Sequence, residues 1–292
     1  VIGKAVNELD NENGVESIVF GAPEDKARGA WWDGYTLRER IFEDGQKEVT
    51  VTREKHFQGA AIMPKARAKR GESEQREANE DDAGRRAKKH VRLKCKAISA
   101  DRMVTLTYRE NMQDRETVLR HWDLFRRKMG KHKQFDYVAV VEKQERGAFH
   151  FHVAVRGRQV YALLRSIWQS IVGLGPNGEQ MAQVNVRDPH KFGFGNKGAH
   201  KIATYIAKYC GKDMQTRDIG KHRYFASKGI PVPEVRSRWI DAQDQMSAVQ
   251  AAFAALEGYD MTGLQTWCNN GLGVVYLATA PGCHPADDYC PF

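Results

Sequence analysis

The chain has 292 residues, with 46 Lys and Arg against 37 Asp and Glu, and its formal charge of +9 favours a polyanionic partner, nucleic acid first. At 41% hydrophobic and 10% aromatic residues it can build the core of one or two domains, which excludes a wholly disordered chain. It has no apolar run of membrane-spanning length, and the first thirty residues carry Glu8, Asp10, Glu12 and Glu16 where a leader would be basic and then apolar; neither a membrane span nor a secretory signal is expected, and the cytoplasm of a bacterial host is the expected location.

The charge is uneven along the chain. Residues 1–52 hold 6 basic and 11 acidic groups, residues 53–238 hold 40 and 20, and residues 239–292 hold none and 6. Three regions follow: 1–85, an acidic N-terminal region with a basic linker; 86–240, the domain expected to carry function; and 241–292, an acidic helix and tail. Arg53 to Lys96 shows little apolar periodicity, and Arg85 to Lys96 contains seven Lys and Arg and no acid. This segment reads as a partly disordered basic arm, with Lys88, Lys89 and Arg92 available to phosphates. The five cysteines form no C-x-x-C pair, so reduced thiols are expected.

From residue 101 the periodicity is legible. Met103 to Tyr108 is β-branched and aromatic and predicts a strand. Residues 114–130 place Val118, Trp122, Phe125 and Met129 at helical spacing. Phe135 to Lys143 and Ala148 to Arg156 predict a hairpin around Glu145, Arg146 and Gly147. A second helix carries Val160, Leu163, Leu164, Ile167, Trp168 and Ile171 up to Gly173, and Gln183 to Arg187 predicts a further strand. The order is βαββαβ, an α+β class of ferredoxin-like pattern, with an antiparallel sheet and both crossover helices on one face. A third helix, Ala199 to Gly211, is expected to cover the other face.

The second hairpin strand reads Phe149-His150-Phe151-His152-Val153. Alternation places His150 and His152 on one face, about 7 Å apart along the strand. A loop centred on Arg146 sets Glu142 opposite His150 and on the same face. Two imidazoles and one carboxylate suit a divalent ion, Mg²⁺ or Mn²⁺, that keeps positions open for water or a phosphate oxygen. In the third helix Tyr205 and Tyr209 stand at i, i+4, and so do Lys208 and Lys212. A tyrosine oxygen beside a metal-bound phosphate is a nucleophile for transesterification, and a neighbouring ammonium group favours its ionised form. Lys191 to Gly198 (KFGFGNKG) has Phe192 and Phe194 between Gly and Lys residues; with Tyr224, these rings can stack on unpaired bases.

These parts, in this order, resemble the HUH (His-hydrophobic-His) endonuclease superfamily, and more closely the rolling-circle replication initiators of phages and plasmids. The matching segments are Met103 to Tyr108, His150-Phe151-His152 with Glu142, and Tyr205 to Lys212. Arg223 to Gly229 is similar to the Arg-aromatic-Ser-basic-Gly segment of the filamentous-phage-like branch. The resemblance implies a site-specific endonuclease and strand transferase acting on single-stranded or hairpin origin DNA. Tyr205 would attack the scissile phosphate, leaving a 5′-phosphotyrosine and a free 3′-hydroxyl primer, and Tyr209 would act second. Lys191, Lys212 and Arg223 would bind DNA, and a host helicase and DNA polymerase would complete replication. Two alternatives stand beside this reading: a conjugative relaxase or single-strand transposase with the same chemistry, and an inactive origin-recognition or repressor module.

Overall fold

A computed structural model of the chain describes residues 5–10, 15–20, 30–58, 69, 72–187, 203–204, 206–207 and 222–282. In chain order the elements are β1 (Ala5–Asp10), β2 (Val15–Phe20), β3 (Ala30–Ile41), β4 (Lys47–Gln58), α1 (Arg76–Ala97), β5 (Arg102–Tyr108), α2 (Arg115–His132), β6 (Tyr137–Lys143), β7 (Phe149–Val155), α3 (Tyr161–Val172), β8 (Ala182–Arg187), β9 (Phe225–Ala226), β10 (Arg236–Ile240), α4 (Gln245–Ala254), β11 (Gln265–Asn269) and β12 (Val274–Ala278). The architecture is mixed α+β, and it divides into Ala68–Val232 and a second unit made of Val1–Arg67 with Pro233–Phe292.

In the 68–232 unit the sheet order is β8-β5-β7-β6-β9, and every pair is antiparallel. One face carries Val104, Leu106 and Tyr108 of β5, Ala139 and Val141 of β6, and Phe151 and Val153 of β7. Both α2 and α3 cover it. Asp114 starts α2 by accepting from the backbone N–H groups of Glu116 and Thr117, which a helix would otherwise leave without partners. The buried stripe is Val118, Trp122, Phe125 and Met129, as their spacing predicts. α3 buries Leu164, Ile167 and Trp168 and ends at Gly173, whose φ of 88° suits a residue without Cβ. Each large side chain buried in this layer contributes about 1.5–3 kcal/mol relative to exposure.

The opposite face carries Met103, Val138, Val140 and Ala154. Ala203, Ile206 and Ala207, which are helical, pack on it, and so does α1 through Val91 and Cys95. Here the structure corrects the expectation from sequence for the described part of the supposed basic arm: residues 53–58 are strand in β4 and 76–96 are helix in α1. Gly84, Ala87, Val91 and Cys95, all buried, recur every three or four residues and form a narrow stripe between the cations. Small side chains make this a weak hydrophobic signal, and the apolar sheet face supplies the burial that holds the helix.

One buried polar contact in this unit links stability to pH. His121 Nδ1 lies 3.2 Å from Tyr108 Oη. Burial, reinforced by Arg120, lowers the His121 pKa, and burial raises that of Tyr108. The imidazole is therefore neutral in the fold at pH 7 and pairs with a phenol that keeps its proton. A depressed imidazole pKa gives stability that is complete above the unfolded value, about 6.5, and lost as pH falls through the folded one. Urea midpoints should accordingly fall between pH 7.5 and 5.5, and His121→Gln should flatten that fall; an equal fall in the variant would exclude His121 as its source.

The other unit has the sheet order β10-β3-β4-β12-β11. Tyr35, Leu37, Val49, Val51, Val275 and Leu277 face Ala248 and Ala252 of α4. The two acidic flanks, separate in the sequence, thus share one sheet within the unit Val1–Arg67 with Pro233–Phe292. Gly34 is required because the ring of Trp239 lies 1.9 Å from where a Cβ would stand. Among the described residues no helix is long and apolar enough to cross a membrane.

Candidate active site

Alternation along β7 sends Phe151 and Val153 into the α2/α3 layer and leaves His150 and His152 on the opposite face. The hairpin register pairs Glu142 with His150. This register is set by a tight turn, in which the Gly147 N–H donates to Gln144 O at 2.8 Å and Gly147 adopts φ 90°. The loop is further held by Asn111 Nδ2, which donates to Arg146 O at 2.9 Å.

All three polar side chains are buried, Glu142 at 7%, His150 at 8% and His152 at 6% exposure. His152 Nε2 and Glu142 Oε2 are 2.8 Å apart, and His152 Nδ1 lies 3.4 Å from Thr105 Oγ1 on the neighbouring strand. The Nε2 of His150 is buried and makes no hydrogen bond among the described residues. Burial first, then the charges of His152 and Arg146, lower the His150 pKa against the opposing pull of Glu142. His150 is therefore a neutral imidazole at pH 7, the form that binds metal.

Two imidazoles and one carboxylate are donor types that a divalent cation takes. Cis ligands of an octahedral ion with bonds of about 2.1 Å stand roughly 3 Å apart, close to the His152–Glu142 separation. His150 Nε2, which makes no hydrogen bond among the described residues, belongs to the same sheet face. Among the described residues no group of three His, Cys, Asp or Glu side chains converges into a finished metal site.

The three residues line one end of a cleft of about 850 Å³. Its floor is Thr105 and Thr107 of β5 with Gln183 and Asn185 of β8, and Arg109 and Arg165 stand on its wall. Sequence reasoning did not select these residues. The alternation that separates Thr105 and Thr107 from Val104 and Leu106 was available as a signal; Arg165 had none, because its place depends on how α3 lies against β8.

The remaining candidates are distributed as follows. Lys88, Lys89 and Arg92 lie on α1, with Lys89 exposed and the other two half-buried. The guanidinium of Arg223 is bonded to the Glu80 carboxylate of α1. The rest of its segment closes the sheet edge: Tyr137 N donates to Ser227 Oγ at 2.9 Å, and Ser227 N to Tyr137 O at 3.0 Å. Tyr224 packs against the cluster under α1. Tyr205, Lys208, Tyr209, Lys212, Lys191, Phe192 and Phe194 lie outside the described residues.

The model of a protein family described as replication-associated protein, of the ORF2 type, matches residues 101–214. The match begins at the residue before β5 and spans Glu142, His150 and His152. No curated protein and no solved structure matches the chain.

Proposed function

We propose that the chain is a rolling-circle replication initiator of the filamentous-phage-like branch, a metal-dependent single-strand DNA endonuclease and strand transferase built on a ferredoxin-like HUH core. The observation that carries this reading is the buried Glu142, His150 and His152 cluster at the end of a polar cleft, inside the segment that the replication-associated family model matches. A Mg²⁺ or Mn²⁺ ion held by these three residues would withdraw charge from the scissile phosphate.

The chain's own residues supply the rest. Tyr205 Oη forms a bond to phosphorus, the bond from phosphorus to O3′ breaks, and the phenolic proton ends on O3′. The products are a 5′-phosphotyrosine and a 3′-hydroxyl that primes synthesis. Lys208 stabilises the phenolate as it attacks, and Tyr209 performs the second transfer that closes a circle. The basic 53–238 segment binds the single strand or hairpin of the origin with salt-sensitive affinity, with Lys88, Lys89, Arg92, Lys191, Lys212 and Arg223 as contributors. A host helicase and polymerase act on the product in the bacterial cytoplasm.

The test is incubation of the full chain with labelled single-stranded origin DNA and Mn²⁺, followed by a search for an SDS-stable adduct. Wild type and Tyr209→Phe should form it, Tyr205→Phe should not, and Tyr209→Phe should lose strand transfer. The opposite pattern reverses the tyrosine roles. Binding without an adduct on any origin would leave a recognition module in place of a nuclease.

A further inference from the structure

Beyond the His pair the cleft has a second wall, formed along the edge of the sheet. β8 is the edge strand, paired only with β5 among the described residues. α3 runs beside it and contributes Tyr161, Arg165 and Gln169 to the cleft, a spacing of four that puts all three on one helix face. Tyr161 Oη donates to Val184 O of β8 at 3.3 Å. Next to this stripe on α3, Trp168 is fully buried and its Nε1 donates to Thr107 O at 3.0 Å. The stripe is therefore mounted on a rigid element. Arg109 joins the same wall, its backbone N–H donating to Met181 O at 2.9 Å just before β8.

The wall carries two arginines whose charge no carboxylate neutralises among the described residues, as is also true of Arg120 and Arg146 elsewhere in the unit. Arg102, Arg126, Arg127 and Arg223 each pair with a carboxylate, whereas neither Arg109 nor Arg165 does so among the described residues. Both are exposed, and Glu142, at the other end, is the one carboxylate among the described residues lining the cleft. β7 and β8 are two strand spacings apart, about 10 Å, so the wall lies beyond the reach of a phosphate held at the His pair. Guanidinium groups hold phosphate oxygens through paired, planar donors, and an open hydroxyl and amide floor suits a chain of sugars and phosphates.

We infer that Arg165 and Arg109, with Tyr161 and Gln169 beside them, hold phosphates of the nucleotides that flank the scissile one, and so set the register of the strand at His150 and His152. They are positioning residues, and the inference rests on the reading that the cleft receives single-stranded DNA. It extends the substrate site across β5 and β8 to a helix that the chemistry itself does not use.

Fluorescence anisotropy with a labelled oligothymidylate, measured over a series of NaCl concentrations, tests the assignment on the full chain. Arg165→Ala and Arg109→Ala should each weaken binding by about five- to tenfold. Each should also reduce the slope of log affinity against log salt by about 0.7, the value for one single-strand phosphate contact. Arg165→Lys should restore the slope while leaving part of the affinity lost. Arg120→Ala removes an equal charge from α2 outside the cleft lining and should leave the affinity within about twofold of wild type. Wild-type affinity and slope in both alanine variants, or an equal loss in Arg120→Ala, would overturn the assignment. If the wild type forms no covalent adduct but Arg165→Ala still loses affinity and slope, the nicking reading falls and the phosphate wall stands. Normal adduct formation with unchanged binding in the alanine variants removes the wall and keeps the nicking reading.

Discussion

His152→Ala is expected to slow metal-dependent cleavage of single-stranded origin DNA by about 10²- to 10³-fold, equivalent to about 3–4 kcal/mol of transition-state stabilisation. Salt-sensitive binding of the same DNA should stay within about twofold, since affinity comes mainly from Lys and Arg contacts to phosphates. The asymmetry follows from position. His152 joins Glu142 at 2.8 Å and sits 3.4 Å from Thr105 Oγ1, at one end of a cleft whose cationic wall is elsewhere. Its loss removes an imidazole and also one hydrogen-bond partner of a buried carboxylate. His152→Gln separates the two effects, because its amide can still donate to Glu142 but offers no imidazole lone pair. It should fold like wild type and cleave as poorly as the alanine variant. Cleavage at the wild-type rate in either variant, with circular dichroism showing an intact fold, would end the case for a metal held by Glu142, His150 and His152.

Trp122→Ala should destabilise the 68–232 unit by about 3–5 kcal/mol, a large share of the 5–15 kcal/mol typical of a domain. For a unit of this size that is a fall in melting temperature of about 10–15 °C. Trp122 is 2% exposed and forms the centre of the layer between α2 and the sheet. Its ring lies 5.0 Å from that of Phe151, 6.0 Å from Phe125 and 5.1 Å from Tyr137, a stacked, a stacked and an edge contact. Phe151 lies between His150 and His152, so loosening this layer also loosens the strand that aims them. The indole Nε1 is buried without a hydrogen-bond partner among the described residues. Trp122→Phe therefore gives up ring area but relieves an unsatisfied donor, and its cost should be below about 1.5 kcal/mol. Thermal unfolding followed by circular dichroism would refute the packing account if the alanine variant lost less than about 1 kcal/mol.

The elements around the site differ in how readable they were. The hairpin was fully legible: a Gly in a short loop sets the register, and the register places Glu142 against His150. Likewise α2 announces itself through Val118, Trp122, Phe125 and Met129, an apolar stripe whose spacing no strand would show. α1 was misread because its contact face is built from Gly84, Ala87, Val91 and Cys95, residues that contribute little to a hydrophobic pattern and sit among Arg and Lys. The sheet of the flanking unit was also hidden, since β4 and β12 are more than two hundred residues apart and pair only in space.

By itself, the amino-acid sequence determined the strand and helix order from β5 to β8, the face on which His150 and His152 stand, and the carboxylate that joins them. Those features depend on local periodicity and a tight turn, and both act over a few residues. The tertiary structure decided the rest. It buried the three polar side chains, drew His152 onto Glu142 and left His150 Nε2 without a hydrogen bond among the described residues, because burial and partners depend on which layers close over a face. It also turned a stretch of positive charge into a helix covering the sheet, and set Arg165 on the wall of the cleft. A net charge of +9 says only that a polyanion is welcome; which arginines line a cleft depends on how the helices lie against the sheet.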